Sequence, residues 1–228
     1  MKLEYVSITG ADDAVSVADL NALGGEFPFV EWAVLLLPEE MGESRCPTEK
    51  WIGNFTGNCK GAHKAMHLCG SALLDFTAGS PDILNLMRGF RRIQLNLEFG
   101  DVEGKYDPAD LLAQMKARPE FEFIIQYTDK RRDFLPLLRD IPNHSILFDA
   151  SAGQGVSPDR WPAPIAGHFC GYAGGISPAN IAETLDKIGR AAGDYKTWID
   201  MESGVRTKDR FDPDKVRRVL EIAAPFAR

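Results

Sequence analysis

The 228-residue sequence has little of what marks an exported, zinc-binding or membrane-spanning chain. Its four cysteines stand far apart with no Cys-x-x-Cys pair, and no histidine lies at zinc-ligand spacing from them. No segment approaches ~18 uninterrupted apolar residues, and the opening MKLEYVSITG lacks the apolar core of a signal peptide. We therefore expect a reduced, cytoplasmic protein that has no membrane partner.

Positive charge is also scarce, because 26 Lys and Arg residues face 33 Asp and Glu residues, for a net charge of −7. A field of this sign repels polyanions, so nucleic acid is not an expected partner. The hydrophobic fraction of 44% and the charged fraction of 26% are typical of a soluble globular protein. A chain of this length suits one large α/β domain.

Short apolar runs rich in Val, Ile, Leu and Phe alternate with segments of helical period, which predicts repeated βα units. Eight strands are predicted, at residues 3–9, 29–37, 64–69, 91–99, 121–127, 145–150, 168–172 and 197–201. They predict an α/β fold, a closed (β/α)8 TIM barrel that forms a single domain over residues 1–228. The alternative is an open doubly wound sheet, which usually has five or six strands and a Gly-rich first turn.

Capping residues predict four helix starts, with proline at the first helical position in three of them: Asp12, Asp107, Ser177 and Asp212. The segment after residue 129 is predicted to form another helix, with an apolar face made by Phe134, Leu137, Leu138 and Ile141. Between residues 150 and 168 the glycine and proline content predicts a long loop instead of a full helix.

Active sites of such barrels lie at the C-terminal ends of the strands. Glycine-containing turns follow the seventh and eighth predicted strands, in YAGGISPAN and DMESGVRT. Glycine lets backbone N–H groups approach an anion, and a helix N-terminus adds positive charge. These turns are therefore predicted to bind phosphate through Gly174, Gly175, Ser203 and Gly204. The alternative is that the glycines only turn each strand into the next segment.

Six segments, collinear along nearly the whole chain, resemble the phosphoribosylanthranilate isomerase family. AGGISPANI is similar to AGGLxPENV, and IDMESGVRT is similar to VDVSSGVE. FDASAGQG, RIQLN, SRCPT and VSITGADDA resemble, in turn, LLDSxxGGTG, VQLHG, SPRYV and VKICGIT. The resemblance implies an Amadori rearrangement of an aldose derivative to a ketose, as in tryptophan biosynthesis, by proton transfer without metal or organic cofactor.

The resemblance also implies catalytic positions. The family's general acid falls on Asp149, and its catalytic cysteine, the general base, falls on Thr9. A threonine hydroxyl is far too weak an acid to provide a base unassisted, so another group is needed. The sequence leaves three replacement bases open: Glu31, His67 and Cys69.

The remaining positions concern the substrate. Arg45 matches the family's carboxylate-binding arginine, whose planar guanidinium can hold a carboxylate bidentately. The strand RIQLN places Gln94 and Asn96 in the substrate-binding set. Glu202 replaces the first serine of the family's SSG, so it must face outward or meet a cation, or else the phosphate is replaced by another group.

The leading hypothesis is an isomerase-type enzyme for a phosphorylated or carboxylated small molecule. One alternative is a metal-assisted lyase or epimerase, whose ligands would come from Glu31, His67, Glu98, Asp149 and Asp200. Another is a barrel that binds a ligand without catalysis. A homodimer is left open, because no exposed apolar stripe identifies an interface.

Overall fold

The computed structural model describes residues 1–61, 63–98, 102, 104–149 and 155–227. Eight parallel strands close into one barrel in chain order, with β1 paired to both β2 and β8. The strands are β1 (Lys2–Thr9), β2 (Val30–Leu36), β3 (His63–Leu68), β4 (Arg92–Leu95), β5 (Glu122–Tyr127), β6 (His144–Asp149), β7 (Cys170–Ala173) and β8 (Lys196–Met201). The predicted (β/α)8 barrel of the α/β class is confirmed.

Helices pack around the barrel between the strands. They are α1 (Val17–Glu26), α2 (Glu49–Asn58), α3 (Ser71–Thr77), α4 (Pro81–Leu86), α5 (Pro108–Lys116), α6 (Ile181–Ala192) and α7 (Pro213–Ala223). A 3₁₀ helix, Asp129–Asp140, joins β5 to β6. Within residues 155–169, the described part of the β6–β7 connection, there is no helix, as the glycine and proline content predicts.

Two of the four predicted helix starts are confirmed and two are wrong. Asp107 and Asp212 accept hydrogen bonds from the first turns of α5 and α7. Helix α1 is capped by Ser16 instead of Asp12, because the Asp12 carboxylate accepts from other loops. Helix α6 begins after Asn180, because residues 178–180 form a turn in which Ser177 is bonded to Asn180.

The predicted helix after residue 129 is wound more tightly than expected. Pro136 lies inside the segment and has no N–H to donate, and the residues adopt 3₁₀ geometry. At three residues per turn, Leu135, Leu138 and Ile141 share one side. Leu137 was predicted to lie on the apolar face, but it is 47% exposed.

The interior of the barrel contains a buried ion pair. Arg92 Nη1 lies 2.8 Å from Glu31 Oε1, and the two side chains are 1% and 0% exposed. Arg92 Nε also contacts Glu122 at 2.9 Å, and its guanidinium lies 4.3 Å from the ring centroid of Trp198. Ser7 Oγ donates to the same Glu31 oxygen at 2.5 Å.

The sequence leaves Glu31 open as a replacement base at the active-site end of the barrel, and that placement is wrong. It is the second residue of β2, so it lies towards the N-terminal end of the barrel, where Arg92 and Ser7 occupy one of its oxygens. The alternation of side chains along a strand predicts the face of a residue and not its depth. Glu31 is therefore part of the barrel core.

One glycine is required by the packing of the interior. A Cβ atom on Gly171, in β7, would lie 2.1 Å from the ring of Trp198. That indole is 1% exposed and is held between Arg92 and Phe169. The absence of a side chain at Gly171 therefore makes the space that Trp198 fills.

Candidate active site

Two aspartates line the same cavity near the C-terminal ends of the strands. Asp149 ends β6, Asp200 lies near the end of β8, and both are in register with Ala173 of β7 between them. With strands about 4.8 Å apart, their Cα atoms are roughly 10 Å apart along the wall. Both side chains line a cavity of about 300 Å³. The small side chain of Ala173 leaves space for a ligand between the two carboxyl groups.

The Asp200 carboxyl group has an unusual affinity for protons. Burial raises its pKa to about 7, and the nearby charges of Glu202, Asp149 and Glu31 act in the same direction. A hydrogen bond from Thr9 Oγ1 to Asp200 Oδ1, 2.7 Å long, opposes this rise. A carboxyl group with this pKa exchanges protons near neutral pH, as a general acid or base must.

The raised pKa predicts that Asp200→Asn stabilises the protein at high pH. The folded-state pKa of Asp200 exceeds its ordinary value of 3.8. The protonated carboxyl group therefore contributes to the free energy of unfolding below about pH 4, and this contribution is lost as pH rises through about 7. Asparagine stays neutral, so at pH 8 the variant should be more stable than the wild type by roughly 2 kcal/mol. Urea unfolding at pH 4 and pH 8 measures the difference.

The matched control for this prediction is Asp194→Asn, which removes the same charge from an exposed position. Its stability should follow that of the wild type at both pH values. An Asp200→Asn variant that gains no more stability at pH 8 than at pH 4 would contradict the raised pKa.

A second cavity, of about 190 Å³, adjoins the first. It shares Asp149, Asp200 and Glu202 with the first cavity. It is also lined by five other residues predicted from the sequence: Arg45, His67, Cys69, Gln94 and Asn96. Gln94 Nε2 donates to Asn96 Oδ1 at 2.6 Å, and Gln126 Nε2 donates to Asp149 Oδ2 at 2.9 Å. The predicted substrate-binding residues and Asp149 therefore lie around one space. Their roles stay predictions.

His67 and Cys69 are weak candidates for the missing base. Burial, assisted by the charge of Arg92, lowers the pKa of His67 to about 3, so its imidazole is neutral at neutral pH. Burial raises the pKa of the Cys69 thiol to about 12, against a hydrogen bond from Asn96. Cys69 is therefore a thiol at neutral pH, and His67 offers a neutral ring to a ligand.

The glycine turns after β7 and β8 form one wall of the larger cavity. Gly174 and Gly175 have φ values of 128° and 60°, and a Cβ on Gly204 would lie 2.0 Å from the Ile176 carbonyl oxygen. In the described part of the chain, the backbone N–H groups of Gly175, Ser203 and Gly204 have no acceptor. Because α6 starts only at Ile181, these groups, and not a helix terminus, would hold an anion.

Arg45 and Glu202 are bound to each other. Arg45 Nη1 lies 2.5 Å from Glu202 Oε1, and Arg45 Nη2 lies 2.5 Å from Asp209 Oδ1. The sequence leaves open whether Glu202 faces outward or contacts a cation, and in the structure its carboxylate contacts the Arg45 guanidinium. A ligand carboxylate would have to displace Glu202 to reach Arg45.

A second arginine joins the loops that carry this pair. Arg206 is buried after β8, and it donates to the Gly10 carbonyl oxygen and to Asp12 Oδ2 in the loop after β1. Its Nη2 also donates to Ser44 Oγ, beside Arg45, at 2.9 Å. Arg206 therefore ties together the loops that follow β1, β2 and β8.

The residues proposed as metal ligands do not come together as the sequence alternative requires. Glu31 is bound to Arg92 in the core, and Glu98 Oε1 accepts from Thr128. Among the residues that the structure describes, no group of three or more His, Cys, Asp or Glu side chains could hold a metal ion. In the same residues, no helix is long and apolar enough to cross a membrane.

Sequence reasoning missed Asp200 and Glu202 as central residues of the site. Asp200 was named only as a metal ligand, and Glu202 only as a departure from a serine. The signal that could have found Asp200 is an acidic residue at an inward position near the end of a buried strand, next to the strand of Thr9. No local signal predicts the Glu202–Arg45 pair.

The architecture and the location of the site define a (β/α)8 barrel with the fold of the phosphoribosylanthranilate isomerases. TrpF from Jonesia denitrificans is similar with a TM-score of 0.65 and 18% identity, over 98% of this chain and 99% of that one. N-(5'-phosphoribosyl)anthranilate isomerase from Pyrococcus furiosus has a TM-score of 0.60 and 14% identity, over 97% and 98%. The isomerase from Thermococcus kodakaraensis has a TM-score of 0.54 and 14% identity, over 96% and 98%.

No family model and no curated protein sequence matches the chain. Identities of this size show the fold alone. The fold that the sequence resemblance implies is confirmed by these neighbours, while the activity and the catalytic residues are matters for proposal.

Proposed function

We propose that the protein is an acid–base isomerase that converts a phosphorylated aldose derivative into the corresponding ketose. The observation that carries the proposal is the Asp149–Asp200 pair, which faces one cavity from both sides of Ala173. The pKa of Asp200, about 7, suits proton transfer near neutral pH. The partner of the site is then a small molecule, and the chemistry requires no cofactor.

Asp200 takes the role of the general base. Its carboxylate accepts a hydrogen bond from Thr9, the residue at which the sequence resemblance places the base, so it acts from that side of the cavity. A base with a pKa near 7 is strong enough to remove an activated proton and is still ionised at slightly alkaline pH. Thr9 then acts as a positioning residue that holds one carboxylate oxygen.

Asp149 takes the role of the general acid. Gln126 holds one of its oxygens at 2.9 Å, which orients the carboxyl group. The glycine turns line the same cavity as Asp149, so a phosphate bound there would lie close to the acid. The described glycine turns offer unpaired N–H groups to that phosphate.

The reaction follows from these positions. Asp149 gives a proton to the ring oxygen, and the C1–O bond breaks to open the ring. Asp200 then removes the proton from C2, and the electron pair of the broken C2–H bond forms the C1–C2 double bond of an enol or enolamine. A proton added at C1 and one lost from the C2 hydroxyl give the ketose, so no atom is gained or lost overall.

The test uses two glycosylamines, made from ribose 5-phosphate with aniline and with anthranilate. NMR spectroscopy follows the loss of the C2 proton and the appearance of the ketose. We expect turnover of at least one glycosylamine by the wild type, with kcat/KM rising as pH increases through about 7 because the base must be ionised. Asp200→Asn and Asp149→Asn should each lower kcat/KM by about 10²–10⁴-fold.

Thr9→Val is the matched variant for the base. Valine cannot donate the hydrogen bond that Thr9 gives to Asp200, so the pKa of the Asp200 carboxyl group should rise and the pH profile of kcat/KM should move to higher pH. A profile that falls as pH rises through 7 would make Asp200 the acid instead. Absence of turnover with both compounds, together with measurable binding, would favour a ligand-binding barrel without catalysis.

A further inference from the structure

The smaller cavity is unusually acidic for a site that would hold an anion. Four carboxylate side chains line it, and the described lining contains a single cation. The acidic residues are Glu40, Asp149, Asp200 and Glu202, and the cation is Arg45. Arg45 is therefore the only charged group of the described lining that attracts an anion.

Arg45 already makes four contacts through its guanidinium. Its Nη1 donates to Glu202 Oε1 and Ser203 Oγ, and its Nε and Nη2 contact Asp209 Oδ1. Its backbone N–H donates to Asp12 Oδ2 at 2.9 Å, which fixes the residue in a left-handed conformation with φ of 76°. The guanidinium therefore has two carboxylate partners before any ligand enters.

The two partners differ in where they lie. Glu202 lines the cavity, whereas Asp209 is 53% exposed and is not among the cavity-lining residues. A ligand carboxylate would compete with Glu202 for the inner side of the guanidinium. It would also place Glu202 and the ligand, two negative groups, beside each other.

We infer that Glu202 is a specificity-determining residue, which neutralises the only described cation of the cavity and so excludes a ligand that carries a carboxylate there. The part of the ligand that lies beside Asp200 then bears hydroxyl or amino groups. Amides of Gln94 and Gln126 and the carboxylate of Asp149 are suitable partners for such groups. This inference deepens the proposed function, because it narrows the substrates of the same site.

The test measures binding of anthranilate, a fluorescent aromatic carboxylate, and needs no turnover. We expect Glu202→Ala to bind anthranilate at least tenfold more tightly than the wild type. Without Glu202, the side of the Arg45 guanidinium that faces the cavity is free to bind the carboxylate of anthranilate. Glu202→Ala combined with Arg45→Ala should lose that gain. Asp209→Ala is the matched control that removes the outer carboxylate, and its affinity should stay within twofold of the wild type.

Two results would overturn the inference. One is equal affinity of the wild type and a Glu202→Ala variant whose thermal unfolding shows that it is folded. The other is a gain in affinity that persists without Arg45. Glu202→Gln, which keeps the size of the side chain and loses its charge, should give a smaller gain in the same direction. These outcomes are independent of the pH profile of turnover, so either proposal can fail alone.

Discussion

Arg92→Met is expected to lower the free energy of unfolding by about 3–5 kcal/mol. The guanidinium is the cation that compensates Glu31, which is fully buried and has one oxygen, Oε2, with no partner among the described residues. Methionine fills a similar volume against Trp198 but leaves a charged carboxylate in the core. Urea unfolding at neutral pH measures the loss.

The control for this prediction is the double variant Arg92→Met with Glu31→Gln. Removing both charges should recover more than half of the loss, because Glu122, the other partner of Arg92, is 28% exposed and can be hydrated. A double variant as unstable as Arg92→Met would show that packing of the arginine against the aromatic rings, and not charge, accounts for the effect.

Gly171→Ala should also destabilise the protein, by about 3 kcal/mol, at the upper end of the usual range for overpacking. The new methyl group would lie 2.1 Å from the Trp198 ring, which Arg92 and Phe169 prevent from moving aside. Thermal and urea unfolding would show the loss. Adding Trp198→Phe, a smaller ring, should recover part of it.

The same chemical change in an open position provides the comparison. Gly53 lies in the exposed part of α2, and a Cβ atom there would contact nothing within 4 Å. Gly53→Ala should therefore stabilise the protein by about 0.5–1 kcal/mol, as expected for alanine in a helix. If both variants changed stability equally, the contact with Trp198 would not be the cause.

The barrel could be predicted from the sequence because the hydrophobic period of each strand and helix is a property of a local segment. The chain length then suits one barrel of eight such units. The errors occurred where distant residues decide the outcome. Asp12 has the local signature of a helix cap, yet Arg206 and the backbone N–H of Arg45 take its carboxylate. A local bond accounts for one further error: the predicted 91–99 strand ends at Leu95, where the Leu97 N–H turns back to the Leu95 carbonyl oxygen.

The site was only partly predictable for the same reason. The strand-end rule and the family resemblance together selected Arg45, His67, Gln94, Asn96 and Asp149, which line one cavity. The proton affinity of Asp200 depends on its burial and on three neighbouring carboxylates, which no local pattern encodes. Likewise, Arg45 and Glu202 are 157 residues apart in the chain.

The contacts of Arg206 have a consequence for how the protein forms. They join this residue to partners 194 and 196 positions earlier, across the seam where β8 closes against β1. Contacts of such sequence separation form late and slow the folding of a domain. During synthesis one edge of β1 therefore stays unpaired until almost all of the chain has emerged. Folding intermediates with an unpaired strand edge are prone to aggregate. Asp200 and Thr9 lie on the two sides of this seam, so the candidate active site is complete only when the barrel closes.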